Sequence, residues 1–256
     1  MTKCSVSIIT STYNRATEIS RAIDSILAQT CQEWELCIVG DCTPDNTRDI
    51  VRSFNDDRIR FYNLPEKSPA GAHGAIAKNY AIKHMAKGKY IAYLDDDDAY
   101  RPKFLETMIG YMEDHPYCEV AYCRGGYKDV HTGKKVWGNP FQRWLHGYSR
   151  EKLLRYNYIN TNWVVHRKSL IEKTNGWNAK TYFDDYNLWL EMSALTDFHY
   201  INKVLVDNYI EEDPFVRRAW NKGWAMIKSG GKRMPLPYDG DYDDAARKTR
   251  EGDGRP

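Results

Sequence analysis

Between residues 5 and 123 the sequence switches repeatedly between two hydrophobic periods, and that alternation constrains the fold more than any other feature. Short apolar runs at 5–11, 35–39, 58–64, 90–94 and 119–123 have the length and the β-branched or aromatic content of strands. The stretches between them carry helix signals. Ile19, Ala22, Ile23, Ile26 and Leu27 fall on one face of a helix expected over 16–29. Further helices are expected over 44–54, with Thr43 or Asp45 as N-cap, over 72–86, closed by Gly88, and over 102–113, with Pro102 near the first turn. Strands alternating with helices form a parallel sheet covered on both faces. The expected fold class is therefore α/β, with a mostly parallel central sheet flanked by helices.

The second half reads differently. A hairpin is expected over 127–137 around His131-Thr132-Gly133-Lys134, a strand over 162–166, a helix over 184–193, one or two strands within 198–209 and a helix over 214–226. The two halves, 1–124 and 125–228, are expected to share one sheet and form a single domain. Residues 229–256 are rich in Gly, Pro and charge and are expected to form a flexible tail.

The formal net charge of +2 on 256 residues is too small to imply a nucleic-acid partner. No apolar run approaches the ~20 residues that span a bilayer. Met1-Thr2-Lys3-Cys4 leads directly into the first strand without a signal-peptide pattern. The six cysteines form no CxxC pair, so reduced thiols are expected rather than disulfides or a zinc site, and with them a cytoplasmic location.

Ligands of an open parallel sheet bind beyond the carboxyl ends of its strands. Ser11, Thr12, Tyr13 and Asn14 follow the first expected strand, Asp41 the second, and Asp95, Asp96, Asp97 and Asp98 the fourth. Four consecutive carboxylates repel one another unless a cation or hydrogen-bond donors compensate them. Mn2+ or Mg2+ is the natural partner, because such ions take oxygen ligands and are shared between carboxylates and substrate phosphates. Taken alone, the run also fits an acidic loop, with Asp98 capping the next helix. Asp41 also fits a plain turn residue, and Thr12 and Asn14 fit helix caps. Asp184 and Asp185 open the expected helix at 184–193. There the helix dipole favours them, or one serves as a general base whose pKa the other raises.

Five segments in order make the chain resemble the family 2 inverting glycosyltransferases with the GT-A fold. They are Ser7-Ile-Ile-Thr-Ser-Thr-Tyr-Asn-Arg15, Ser25-Ile-Leu-Ala-Gln-Thr30, Trp34-Glu-Leu-Cys-Ile-Val-Gly-Asp41, Gly88-Lys-Tyr-Ile-Ala-Tyr-Leu-Asp-Asp-Asp-Asp98 and Asp184-Asp-Tyr-Asn-Leu-Trp-Leu190. The resemblance implies a nucleotide-sugar-binding half over 1–124 and a smaller acceptor-binding part over 125–228. It implies that Ser11 and Tyr13 line the nucleotide pocket and that Asp41 holds the base, usually uracil. The family's DxD motif falls on Asp95, Asp96 and Asp97. Asp97 is then the principal metal ligand, with Asp95 and Asp96 holding the ribose or supporting the metal, and Asp185 is the catalytic base. The expected partners are a UDP-sugar donor and a glycan or glycoconjugate acceptor, a lipid-linked one being met at the membrane surface.

Three positions depart from the family pattern. Lys78, in Ala77-Lys78-Asn79, stands where the family often has arginine; it still neutralises phosphate but lacks the bidentate fork. Asp184-Asp185 replaces Glu-Asp, and Asp41-Cys42-Thr43 replaces Asp-Gly-Ser. On the acceptor side, Asp184, Trp163 and His166 are candidates, with Trp137, Trp144 and Trp177 as further aromatic faces that suit either sugar stacking or packing. His73, in the glycine-rich stretch 68–74, reads as a surface residue. Two competing functions remain open from sequence: a glycosyltransferase that modifies nucleic acid through the basic, aromatic stretch 143–155, and a non-catalytic nucleotide-sugar binding module.

Overall fold

In a computed structural model the first four strands, β1 (Val6–Thr12), β2 (Trp34–Gly40), β3 (Ile59–Asn63) and β4 (Tyr90–Tyr93), pair in parallel in the order β3-β2-β1-β4. Beyond β4 the sheet continues through β8 (Val164–Arg167), β6 (Val120–Asp129), β9 (His199–Ile210) and β5 (Ala99–Tyr100), with β7 (Lys135–Val136) on β6. Of the nine strands, β5, β7 and β8 run against the other six, so the sheet is mixed but mostly parallel. The structure describes residues 5–72, 74–136, 147–180 and 183–211. Contacts group Met1–Ile210 as one compact unit and Glu211–Pro256 as another. The expected helix at 214–226, the tail at 229–256, His73, Trp137 and Trp144 lie outside the described residues.

Alternation along the strands builds the two faces. Ile8, Leu36, Ile38, Tyr90 and Ala92 pack on one side with α1 (Ile19–Leu27), α2 (Thr47–Ser53) and α4 (Phe104–Asp114). Ile9, Cys37, Val39, Ile91 and Tyr93 pack on the other with α3 (Ala75–His84), α6 (Lys168–Ile171) and α7 (Asp184–Leu195). Each fully buried aliphatic side chain contributes roughly 1.5–3 kcal/mol. A short helix, α5 (Arg150–Leu153), starts at Ser149, whose hydroxyl accepts from Lys152 N–H.

Several expected details change. Helix α1 begins three residues late, because Ala16 N–H is held by Asp45 Oδ2 at 3.0 Å. Neither Thr12 nor Asn14 caps it: Thr12 lies in β1, and Asn14 has φ 56° and donates its N–H to Thr43 Oγ1. Asp45 accepts from Thr47 N–H at the start of α2. Gly88 does not cap α3, which ends at His84. A Cβ at Gly88 would meet the backbone of Val6 and Ser7, so the glycine permits a close approach to β1. The division near residue 124 falls inside the single strand β6.

His166 sits on β8 at the centre of the sheet and is fully buried. Its Nδ1 donates to the Arg167 carbonyl at 2.8 Å, so its Nε2 accepts from Tyr93 Oη at 2.8 Å. Burial pushes its pKa down from 6.5 to about 4. The unfolded chain therefore takes up a proton that the folded chain refuses. The stability tied to neutral His166 is complete above pH 6.5 and is lost as pH falls toward 4, by about 3 kcal/mol at most. Urea midpoints compared at pH 7.5 and 4.5 should fall less for His166→Gln than for the wild type. An equal fall in both would remove the assignment.

Candidate functional site

Three parallel strands end at one place. Thr12 pairs with Gly40, and Asp41 N–H bonds to the Thr12 carbonyl at 2.9 Å, which sets Asp41 beside Tyr13. Leu94 N–H bonds to the Ile9 carbonyl, and Thr10 Oγ1 donates to the Leu94 carbonyl at 2.8 Å, which brings the aspartate run alongside. A cavity of about 430 Å3 lies here, lined by Ser11, Tyr13, Arg15, Asp41, Lys67 and Asp96 together with the loop that leads to α3. Lys67 Nζ sits 2.8 Å from Asp41 Oδ2 and 3.1 Å from the centre of the Tyr13 ring. Ser68 N–H donates to Asp41 Oδ1 at 2.9 Å. Burial alone would raise the Asp41 pKa, but the bonds from Lys67 and Ser68 outweigh it and hold the carboxyl below its ordinary value.

Gly74 opens α3 with φ 79°, and a Cβ there would collide with the Ser11 hydroxyl. Gly74→Ala should therefore cost about 1–3 kcal/mol of stability by urea unfolding. Unchanged stability would show that the wall yields freely.

The four aspartates separate by parity. Asp96 and Asp98 are buried, Asp96 at the wall of the cavity, while Asp95 and Asp97 are half-buried. Asp98 is tied down completely: Asn162 Nδ2 donates to it at 2.5 Å, Tyr209 N–H at 2.7 Å, and Asn208 Nδ2 also donates. It anchors the run to β9 and is not a cap of α4, whose N-cap is Lys103. Asn162, fully buried in the 3-10 turn Thr161–Trp163, also accepts from Asp95 N–H at 2.7 Å and donates to Asp95 Oδ2 at 3.1 Å. Asp97 faces Arg15 at 3.7 Å, and its carbonyl accepts from Arg21. Burial raises Asp96 to about 7 and Asp98 to about 8, with neighbouring aspartates adding to both. Burial and Asp95 raise Asp97 as well.

Asp95 and Asp97 form an all-oxygen donor pair of the kind hard divalent cations take. No three metal-binding side chains converge among the described residues. The donor set thus fits Mn2+ or Mg2+ completing its shell with water or phosphate oxygens, as Mg2+ commonly does.

Asp185 lies at the first turn of α7. Its Oδ1 accepts from Asn157 Nδ2 at 3.1 Å, and its Oδ2 from Thr161 Oγ1 at 3.4 Å. Burial raises its pKa, and Asp184 adds to the rise. Asp184 faces Lys78 Nζ at 3.4 Å, and that ammonium lies 4.1 Å from the centre of the Trp177 ring. Lys78 therefore ties α3 to the start of α7. Trp163 and Trp177 are buried, the first donating through Nε1 to Asn208, and neither they nor His166 present a face to solvent. Arg155 pairs with Glu151 on α5, and residues 143–146 lie outside the described set. The five described cysteines are free, and no described helix is long and apolar enough to cross a membrane.

Sequence reasoning missed Asn162, Lys67, Asn157 and Thr161. Asn162 meets its aspartates across 67 and 64 residues, a separation no local pattern signals.

The fold is the GT-A fold. A *Staphylococcus aureus* TarS fragment, residues 1–349, solved with UDP-GlcNAc, matches with TM-score 0.65 at 18% identity, over 82% of this chain and 59% of that one. A *Pyrobaculum calidifontis* mannosyltransferase solved with GDP-Man and Mn2+ matches with TM-score 0.63 at 17% identity, over 92% and 66%. The sequence model of Glycosyl transferase family 2 matches residues 7–173, and the chain belongs to that family. An uncharacterized glycosyltransferase of *Rickettsia typhi* is 30% identical over 85% of this chain and 67% of its own length. The *Escherichia coli* UDP-Glc:alpha-D-GlcNAc-diphosphoundecaprenol beta-1,3-glucosyltransferase WfgD is 32% identical over 77% and 73%. Against the first curated relatives, the chain spans about half to two thirds of their length.

Proposed function

We propose that the chain transfers a sugar from a UDP-sugar to an acceptor hydroxyl, with inversion and with help from Mn2+ or Mg2+. The observation that carries this reading is the convergence of Tyr13, Asp41 and Asp96, a member of the aspartate run, on one cavity. Tyr13 stacks the base, Asp41 accepts from its imino N–H, and Ser11 lines the pocket. Asp96 faces the ribose. Asp95 and Asp97 hold the divalent ion, which supplies charge neutralisation for the departing diphosphate. Asp185 takes the proton of the acceptor hydroxyl; the oxygen bonds to the anomeric carbon as the bond to phosphate breaks, and its electron pair leaves with the diphosphate. Lys78 and Asp184 position the start of α7, and His166, Trp163 and Trp177 support the acceptor side from beneath.

The acceptor is a glycan or glycoconjugate; the lipid-linked acceptor named for WfgD supports one met at a membrane surface. Nucleotides with and without Mn2+ should be compared by thermal shift, and a panel of sugar donors by mass spectrometry. UDP with Mn2+ should raise the melting temperature most, and one UDP-sugar should be consumed. Absence of any metal-dependent UDP binding would sink the reading. Consumption of no donor alongside intact UDP binding would favour a non-catalytic binding module.

A further inference from the structure

We propose that Asn157 is a positioning residue, fixing the orientation of the Asp185 carboxylate and favouring its ionised form through a hydrogen bond to Oδ1. The inference rests on the reading of Asp185 as the base. Asn157 Nδ2 lies 3.1 Å from Oδ1, which also accepts from Tyr186 N–H at 2.6 Å, while Thr161 Oγ1 stands 3.4 Å from Oδ2. An amide N–H can only donate, so this bond is strongest to the ionised carboxylate and weakens as the proton arrives.

The backbone around Asn157 is docked on the helix that bears Asp185. Before it, the Leu153 carbonyl accepts from Tyr186 Oη at 2.7 Å. After it, the Ile159 carbonyl accepts from Trp189 Nε1 at 3.1 Å. Tyr158 and Ile159 are buried. Asn157 is thus held in place although it is exposed.

The charged groups around Asp185 act in opposite directions. Asp184, on the same helix, raises the Asp185 pKa, and Lys78, from α3, lowers it. These two face each other at 3.4 Å, so each spends part of its field on the other. The segment that carries Asn157 and Thr161 offers neutral donors. Burial is the largest influence on Asp185 and opposes ionisation; the Asn157 bond is the largest influence acting against it. A neutral donor fits this task. It offsets part of the burial without lowering the pKa so far that the carboxylate becomes a poor base.

The test follows the side-chain carboxyl 13C resonance of Asp185, identified by its loss in Asp185→Asn, through a pH titration of the full chain. In Asn157→Ala the midpoint should rise by about one pH unit, the size expected for losing a hydrogen bond to a charged group. In Asn157→Asp, nearly the same shape but an acceptor with charge, it should rise further. The acid limb of donor turnover should move in the same direction, while the thermal shift with UDP and Mn2+ stays as in the wild type. An unchanged midpoint in both variants would overturn the proposal. Full transfer by Asp185→Asn would instead sink the reading of Asp185 as the base, leaving the titration result intact.

Discussion

Asp185→Asn is expected to bind UDP and Mn2+ as the wild type does and to lose about 100- to 10,000-fold in turnover, the range that a general base contributes. The substitution keeps the shape of the side chain and removes its basicity. Asp185 lies outside the residues that line the cavity proposed for the nucleotide, which is why binding should survive. In the wild type, burial and Asp184 set the Asp185 pKa above the ordinary carboxylate value. The base works only when ionised, so kcat/KM should rise with pH through that raised pKa and level off above it. The limb should therefore lie above the range of a solvated aspartate. A variant that retains full transfer would remove Asp185 from the chemistry.

Asp97→Ala should abolish the metal-dependent part of UDP binding. With nucleotide and Mn2+ at about 100 times Kd, the wild type gains about 2.7 kcal/mol, a shift of roughly 5–10 °C for a chain of this size. The variant should show little of that shift. Its melting temperature without metal should not fall, because the lost carboxylate belongs to a mutually repelling run and its nearest cation, Arg15, stands 3.7 Å away. The pairing of these two results matters. A loss of both the shift and the metal-free stability would mark Asp97 as structural, and retention of the shift would move the metal elsewhere.

Local pattern carried the parallel half of the fold, because each of β1 to β4 follows its own hydrophobic period and connects to the next through a helix. It did not carry the placement of β8. That strand is recognisable from Val164 and Val165, but its insertion between β4 and β6, against their direction, is set by pairing partners far away in sequence. The strand ends were equally legible: Tyr13, Asp41 and Asp96 meet where the rule for parallel sheets puts them. What lay hidden was the wiring beneath. Asn162 and Asn208 look like ordinary polar residues in their local sequence, yet together they take up Asp98. Trp163 and His166 drew attention as aromatic or imidazole groups near the acceptor side. Their burial follows from neighbours contributed by β9 and β4, which residue type alone cannot reveal.

The run Asp95 to Asp98 contains four copies of one residue type, so no substitution table distinguishes its members. Only position does: Asp98 meets Asn162, Asn208 and the Tyr209 N–H, Asp95 meets Asn162, Asp97 faces Arg15, and Asp96 lines the cavity. Deleting a single aspartate would leave most of the acidity in place and yet exchange buried for half-buried at every later position of the loop. Such a chain would still carry three adjacent carboxylates, but Ala99 would arrive where Asn162, Asn208 and the Tyr209 N–H wait for an acceptor. Loop length, more than acidity, is what this part of the sequence has to preserve.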